Sequence, residues 1–283
     1  MKVRTGKWLG GLLLGLGVLT GAQAGWTFSS TGQITDPVTG IKATTSAFSA
    51  GNGGTYTSGA CGNGTKTISG TGYSACGGTG FASGAKWASA TLSSYSGGLG
   101  SGSDGSNSPN HAFDNGPKTN SSGYVTGVGN TESLLLSFDS SVVLSSIGIG
   151  WKENDADISL FRYTGSSAPT LAGAGATLAD MTSAGWALVG NYGDLAIDTV
   201  QPYNPVNAGN QASSWWLISA YNNSYGAATT GSVNQGNDYF KVYAVAGSKY
   251  VPQGNPAPEP GSLALAGLAL AGLFGVRRAR RGG

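Results

Sequence analysis

The sequence predicts a mainly β protein: a single β-sandwich-like (jelly-roll-like) domain, flanked by an N-terminal signal peptide and a short C-terminal transmembrane helix. Three observations carry this expectation. Runs rich in β-branched and aromatic residues recur at short intervals, separated by Gly, Asn, Asp-Pro and Ser turns. No amphipathic stretch of helical length stands out between them. Hydrophobic residues make up 39% of the chain and aromatics 10%, enough to build a core despite fifty glycines, and unlike the composition of a disordered chain.

Lys2, Arg4 and Lys7 precede an apolar run from Trp8 to Leu19, which Thr20-Gly21-Ala22-Gln23-Ala24 follows. A basic start, a short apolar centre and a small-x-small end are the parts of a secretory signal peptide. It covers residues 1–24 and is cut between Ala24 and Gly25, which makes the Sec translocon and signal peptidase early partners. The exported body is expected over 25–248.

Strand-like segments begin with Trp26-Thr27-Phe28 and continue through Ile41 to Phe48. Cys61 and Cys76, the only cysteines, lie in a Gly-rich segment; in an exported chain such a pair reads as one disulfide, worth about 3 kcal/mol for a loop of this size. Residues 97–110 are Gly/Ser/Asn-rich and read as a flexible loop. The loop leads to His111 and Asp114, a hydrolytic dyad or ion site on one reading and a polar turn on the other. No Gly-x-Ser-x-Gly nucleophile elbow accompanies them.

The clearest core signal is a strand over 131–139 and another over 142–151, where Ile147, Ile149 and Trp151 alternate with glycines and should share one buried face. Glu153, Asp155 and Asp157 follow at alternating positions. They resemble half a calcium loop and are weak Ca²⁺ candidates, since the glycine and distal glutamate of an EF-hand are missing; otherwise they form a solvated turn. No cofactor is otherwise expected.

A short helix is expected within 168–181, then strands over 186–192 and, more weakly, 196–200. The last two strands cover 213–221 and 238–246. In the second, Phe240, Val242, Ala244 and Ala246 are expected on one side, with Tyr239, Lys241, Tyr243 and Val245 on the other. Trp215, Trp216, Tyr221 and Tyr225 could stack on sugars or belong to the core.

Residues 249–257 form a Pro-containing linker to Pro258-Glu259-Pro260. An apolar Leu/Ala/Gly helix over 262–276 comes next, then Arg277, Arg278, Arg280 and Arg281. The helix would be about 22 Å long, short of a bilayer core of about 30 Å. The arginines act as a basic stop-transfer end that stays cytoplasmic, leaving the body outside the inner membrane.

Pro-Glu-Pro, a short apolar helix and a terminal arginine cluster over 258–283 resemble the PEP-CTERM sorting signal of Gram-negative bacteria. The resemblance implies recognition by an exosortase, a membrane cysteine transpeptidase that cuts near the Pro-Glu-Pro. The body, a Gly-rich β domain directly before that signal, is similar to exosortase-dependent surface proteins, a likeness that supplies no catalytic residues.

Seven of the fifteen basic residues lie in the two terminal segments. Between Gly25 and Gly261, eight Lys and Arg face thirteen Asp and Glu, a body near −5 that lacks the basic patch nucleic-acid binding requires. The expected function is that of a non-enzymatic exported surface or extracellular-matrix protein, anchored in the inner membrane as a precursor and processed by an exosortase. An extracellular polysaccharide-binding module is a second reading. A secreted glycosidase-type hydrolase is a third, which would need two of Glu132, Glu153, Asp155 and Asp157 facing each other across a cleft.

Overall fold

The computed structural model describes residues 23–54, 80–102, 111–119 and 125–252. The chain divides into two units, Met1–Lys249 and Tyr250–Gly283. Cys61, Cys76, Pro258-Glu259-Pro260, the helix expected over 262–276 and the four terminal arginines all lie outside the described residues. Among the described residues no helix is long and apolar enough to cross a membrane.

The protein is mainly β. Its strands are β1 (Gln23–Thr27), β2 (Gln33–Thr35), β3 (Lys42–Gly53), β4 (Gly80–Phe81), β5 (Ala88–Ala90), β6 (Leu92–Tyr95), β7 (Gly98–Ser101), β8 (Phe113–Asp114), β9 (Lys118–Thr119), β10 (Val125–Gly127), β11 (Asn130–Asn154), β12 (Ile158–Tyr163), β13 (Trp186–Tyr192), β14 (Asn204–Pro205), β15 (Ser213–Ala220) and β16 (Asp238–Lys249). Among the described residues one α-helix, α1 (Leu178–Ser183), joins β12 to β13, and a short 3₁₀ turn spans Asn223–Tyr225. Hydrogen bonding links fourteen strands into one sheet, while β9 and β10 pair separately.

Two strands were expected over 131–151, and a single one of 25 residues is found. The first half of β11 is held antiparallel between β3, where Leu134 faces Ala47, and β15, where Leu134 faces Ile218. The second half pairs with β16, from Val142 opposite Lys249 to Asn154 opposite Asp238. The β11/β15 ladder shifts register between Ser137 and Val142, and through β11 both sets of partners belong to one open sheet, where a sandwich-like domain was expected.

Side chains alternate faces along a strand, and both faces of the first half are covered. Leu134 and Leu136 enter the main core with Trp26, Trp216, Ile218 and Phe240. Leu135 and Leu217 point the other way, into a second cluster with Trp87, Phe161, Met181 and Tyr225. An unbroken Leu134-Leu135-Leu136 run suits a strand buried on both sides. Helix α1 supplies part of that cover, and the Trp87 indole N–H donates to Met181 Sδ at 3.2 Å. Thr177 caps the helix by accepting from the Asp180 N–H at 3.2 Å. The helix begins only late in the expected 168–181 segment, after Gly173 with its positive φ, and runs past it to Ser183, where Gly185 at φ +89° follows the cap.

Irregularities in the β11/β16 ladder correct two expectations. A register shift between Ile149 and Trp151 turns Trp151 off the face of Ile147 and Ile149; both isoleucines are fully buried, and Trp151 is partly exposed. Another shift pairs Gly148 with Ala244 but Ile149 with Val242. The face of β16 therefore changes: Phe240, Val242 and Val245 enter the main core, while Ala244 and Ala246 pack with Tyr203. An extra residue in one strand breaks strict alternation. The weak strand expected over 196–200 is reduced to one bridge, Ile197 to Ile149.

Part of the expected 97–110 loop is instead the buried strand β7, with Leu99 fully enclosed. Its glycines allow the close approach. A Cβ at Gly98, where φ is +118°, would stand 2.3 Å from the Val242 carbonyl oxygen, and one at Gly100 would stand 2.0 Å from that of His111. Gly98→Ala should therefore lower stability by about 3 kcal/mol through strain and displacement. Gly84→Ala, at φ +69° with nothing within 4 Å, should lose only about 1 kcal/mol of backbone strain. Urea unfolding midpoints of the two variants check this difference.

Candidate functional site

The densest polar arrangement lies where β11 ends and β12 and β16 begin. Asn154 takes φ +57°, a conformation its short polar side chain tolerates. The Asp155 N–H donates back to the Glu153 carbonyl at 2.8 Å, a three-residue reversal that carries the chain directly from β11 towards β12. Asp155 and Asp157 then flank Ala156, which is fully buried.

Asp238, the first residue of β16, joins them, and carboxylate oxygens of Asp155, Asp157 and Asp238 all lie within 4.8 Å of one another. Asp157 and Asp238 are both fully buried. Backbone donors hold them: Asp157 Oδ1 accepts from the Asp194 N–H at 2.8 Å, and Oδ2 from the Asn234 N–H at 2.7 Å. Asp238 Oδ1 accepts from the Asp157 N–H at 2.7 Å, and its Oδ2 accepts from Asn115 Nδ2. Asn115, itself fully buried, also donates to the Tyr221 carbonyl at 2.7 Å and accepts from the Gly236 and Asp238 N–H groups.

Burial and proximity both oppose ionisation here. Desolvation pushes the Asp157 carboxyl up to about 7, aided by the charges of Asp155 and Asp194 and resisted by the two backbone donors. Desolvation and the Asp157 charge push Asp238 well above the usual carboxylate range. Tyr221 is raised by burial and by the same two aspartates. Such a group of oxygens can share protons or hold a hard cation; Ca²⁺ takes six to eight oxygens, so three carboxylates would leave carbonyls or water to complete its shell.

The structure thus brings together two of the three weak Ca²⁺ candidates. Glu153 stays on the β11/β16 ladder opposite Tyr239, outside the cluster. Asp238, Asn115 and Asp194 were not singled out in the sequence, and their distance along the chain hides them. Glu132, the other carboxylate considered for hydrolysis, is fully buried and accepts from Ser101 Oγ at 2.8 Å. Asp114 is buried in β8, while His111 stacks on Tyr95 with ring centroids 4.8 Å apart. Lys241 continues that stack, its ammonium 5.1 Å from the Tyr95 ring centre and 4.7 Å from that of Trp151. Trp216, Tyr221 and Tyr225 are buried, and Trp215 is partly so.

At the other end of the sequence, residues 256–281 match the PEP-CTERM protein-sorting motif. The chain carries an exosortase sorting signal. The PEP-CTERM match includes Pro258-Glu259-Pro260 and all four terminal arginines, and it marks an exported protein with a membrane-anchored C-terminal signal. No curated protein and no solved structure matches the chain.

The raised carboxyls have a measurable consequence. A carboxyl with a higher pKa in the folded state stabilises fully below its unfolded value of 3.8, and that stability is lost as pH rises through about 7. In chelator-containing buffer, wild type should lose stability relative to Asp157→Asn as pH is raised from about 4 to about 8. Paired thermal unfolding midpoints across that range test it.

Proposed function

We propose that this is a non-enzymatic surface or extracellular-matrix protein, exported as a precursor held in the inner membrane and released or transferred by an exosortase cutting near Pro258-Glu259-Pro260. On this reading the signal peptide delivers a mainly β exported body, with the Ala24–Gly25 bond as the cleavage point. The observation that carries the reading is the PEP-CTERM match over residues 256–281. The placement of the carboxylates supports the non-enzymatic part: both oxygens of the fully buried Asp157 are engaged by backbone N–H groups. Retaining and inverting glycosidases instead need a carboxyl pair facing the substrate from both sides.

The aromatic stack favours a second reading, an extracellular polysaccharide-binding module. Tyr95, His111, Trp151 and Lys241 are each partly exposed and stand in one row. Rings with a cation among them suit a sugar that carries an acidic group.

Intact mass and fractionation of the protein, with and without the host's exosortase, test the main reading. The expected result is loss of the C-terminal segment only when the enzyme is present, and retention of the full tail in the membrane when Pro258-Glu259-Pro260 is replaced by alanines. An unchanged, membrane-bound mass in both strains overturns it. For the second reading, Trp151→Ala is expected to weaken retention on an acidic polysaccharide column by about tenfold, with unchanged near-ultraviolet dichroism showing that the domain remains folded.

A further inference from the structure

The backbone N–H of Gly25 points away from the strand pairing of β1 and donates to Asp36 Oδ1 at 2.9 Å. Asp36 is 1% exposed. Its other oxygen accepts from the Thr39 N–H at 2.6 Å and from the Thr39 hydroxyl at 2.5 Å. The turn that carries it is closed by the Gly40 N–H donating to the Asp36 carbonyl and the Asp36 N–H donating to that of Ile41, both at 2.9 Å. That turn is tied to β1 a second time, because the Trp26 indole N–H donates to the Ile41 carbonyl at 3.0 Å.

Burial works to raise the Asp36 carboxyl, yet hydrogen bonds from Gly25, Thr39 and Val38 outweigh it and hold the group below the usual carboxylate range. It is an ionised, nearly enclosed carboxylate against a neutral amide. A buried charge normally has a charged partner. The position of that amide is notable, since Gly25 is the residue that the small-x-small sequence places first after signal-peptide removal. On the other side of Gly25, a Cβ would stand 2.7 Å from Gln201 Nε2, so the space accepts only glycine without displacing that side chain.

We propose that Asp36 is the binding site for the new α-ammonium group of Gly25, formed when the signal peptide is cut, so that processing converts a hydrogen bond from a neutral amide into a partly buried ion pair. This rests on the processing reading above. In the uncut chain Gln23 and Ala24 pair with Ser248 and Gly247. Cutting removes those two rungs and leaves the start of β1 held by this ion pair and by the Gly25–Ala246 and Trp26–Val245 pairings. The groups facing the amine are Asp36 from the turn and the uncharged Gln201 from the chain before β14; opposite, β16 presents Ala246 and Gly247, none of which titrates.

An α-ammonium ordinarily titrates at about 8. Paired with Asp36 its folded-state value rises, so the stability it adds is complete below about pH 8 and is lost as pH rises through the higher value. The test uses the protein processed in a Gram-negative host. Its first residue is read by N-terminal sequencing, and acylation of its α-amine is followed by mass spectrometry from pH 7 to 10 against a Gly-Trp-Thr-Phe peptide. The expected result is a chain starting at Gly25 whose amine reacts about tenfold more slowly than the peptide near pH 7, below both pKa values, equivalent to one pKa unit. Asp36→Asn should restore most of the peptide's rate. A Gly25 terminus that reacts like the free peptide overturns the ion pair and leaves cleavage after Ala24 standing, whereas a chain that starts elsewhere overturns that cleavage point and the ion pair with it.

Discussion

The structure depends on the antiparallel pairing of one long strand. β11 is the neighbour of β3 and β15 in its first half and of β16 in its second. Every segment of the main core is attached to one of these four strands or packs against them: Trp26 through β1 on β16, Phe113 through β8 on β16, and Ile158 and Leu160 through β12 on β15. Burial on both faces of its first half makes that region the least tolerant of change. A buried leucine lost there leaves a cavity that neighbouring strands cannot collapse to fill.

The long strand also sets where the polar end forms. Pairing of Asn154 with Asp238 brings the close of β11 beside the start of β16, and the tight reversal at Asn154 then turns Asp155 and Asp157 towards the same point. A buried carboxylate is tolerated only when its oxygens are occupied. The amides of Asp157, Asp194 and Asn234 and the side chain of Asn115 meet that need from four separate parts of the chain. The cluster therefore fastens loops at one end of the sheet, whatever proton or ion it carries. The Asp36 turn does similar work at β1, joining the first strand to the turn before β3.

Some of this was legible in the sequence because it is local. Alternation and β-branched content placed β13, β15 and β16 to within a few residues, and the Ala-rich 168–181 segment overlaps the start of α1. The sorting signal was legible for the same reason, since its three parts are consecutive and need no folded partner for recognition. Composition misled at Gly98–Ser101, where glycines that suggest flexibility instead let two backbones approach closely. Alternation misled at Trp151 and Ala244, where register shifts reverse the face.

By itself the sequence determined the mainly β character of the body, its apolar cores and the exosortase signal, because period-two patterning and consecutive motifs act between near neighbours. Tertiary structure alone decided that β11 is one strand, that Trp151 stands beside Lys241, and that Asp238 meets Asp157 from 81 residues away. Register, bulges and the burial of charge are set by which strands pair, and pairing between distant segments depends on the whole core forming at once.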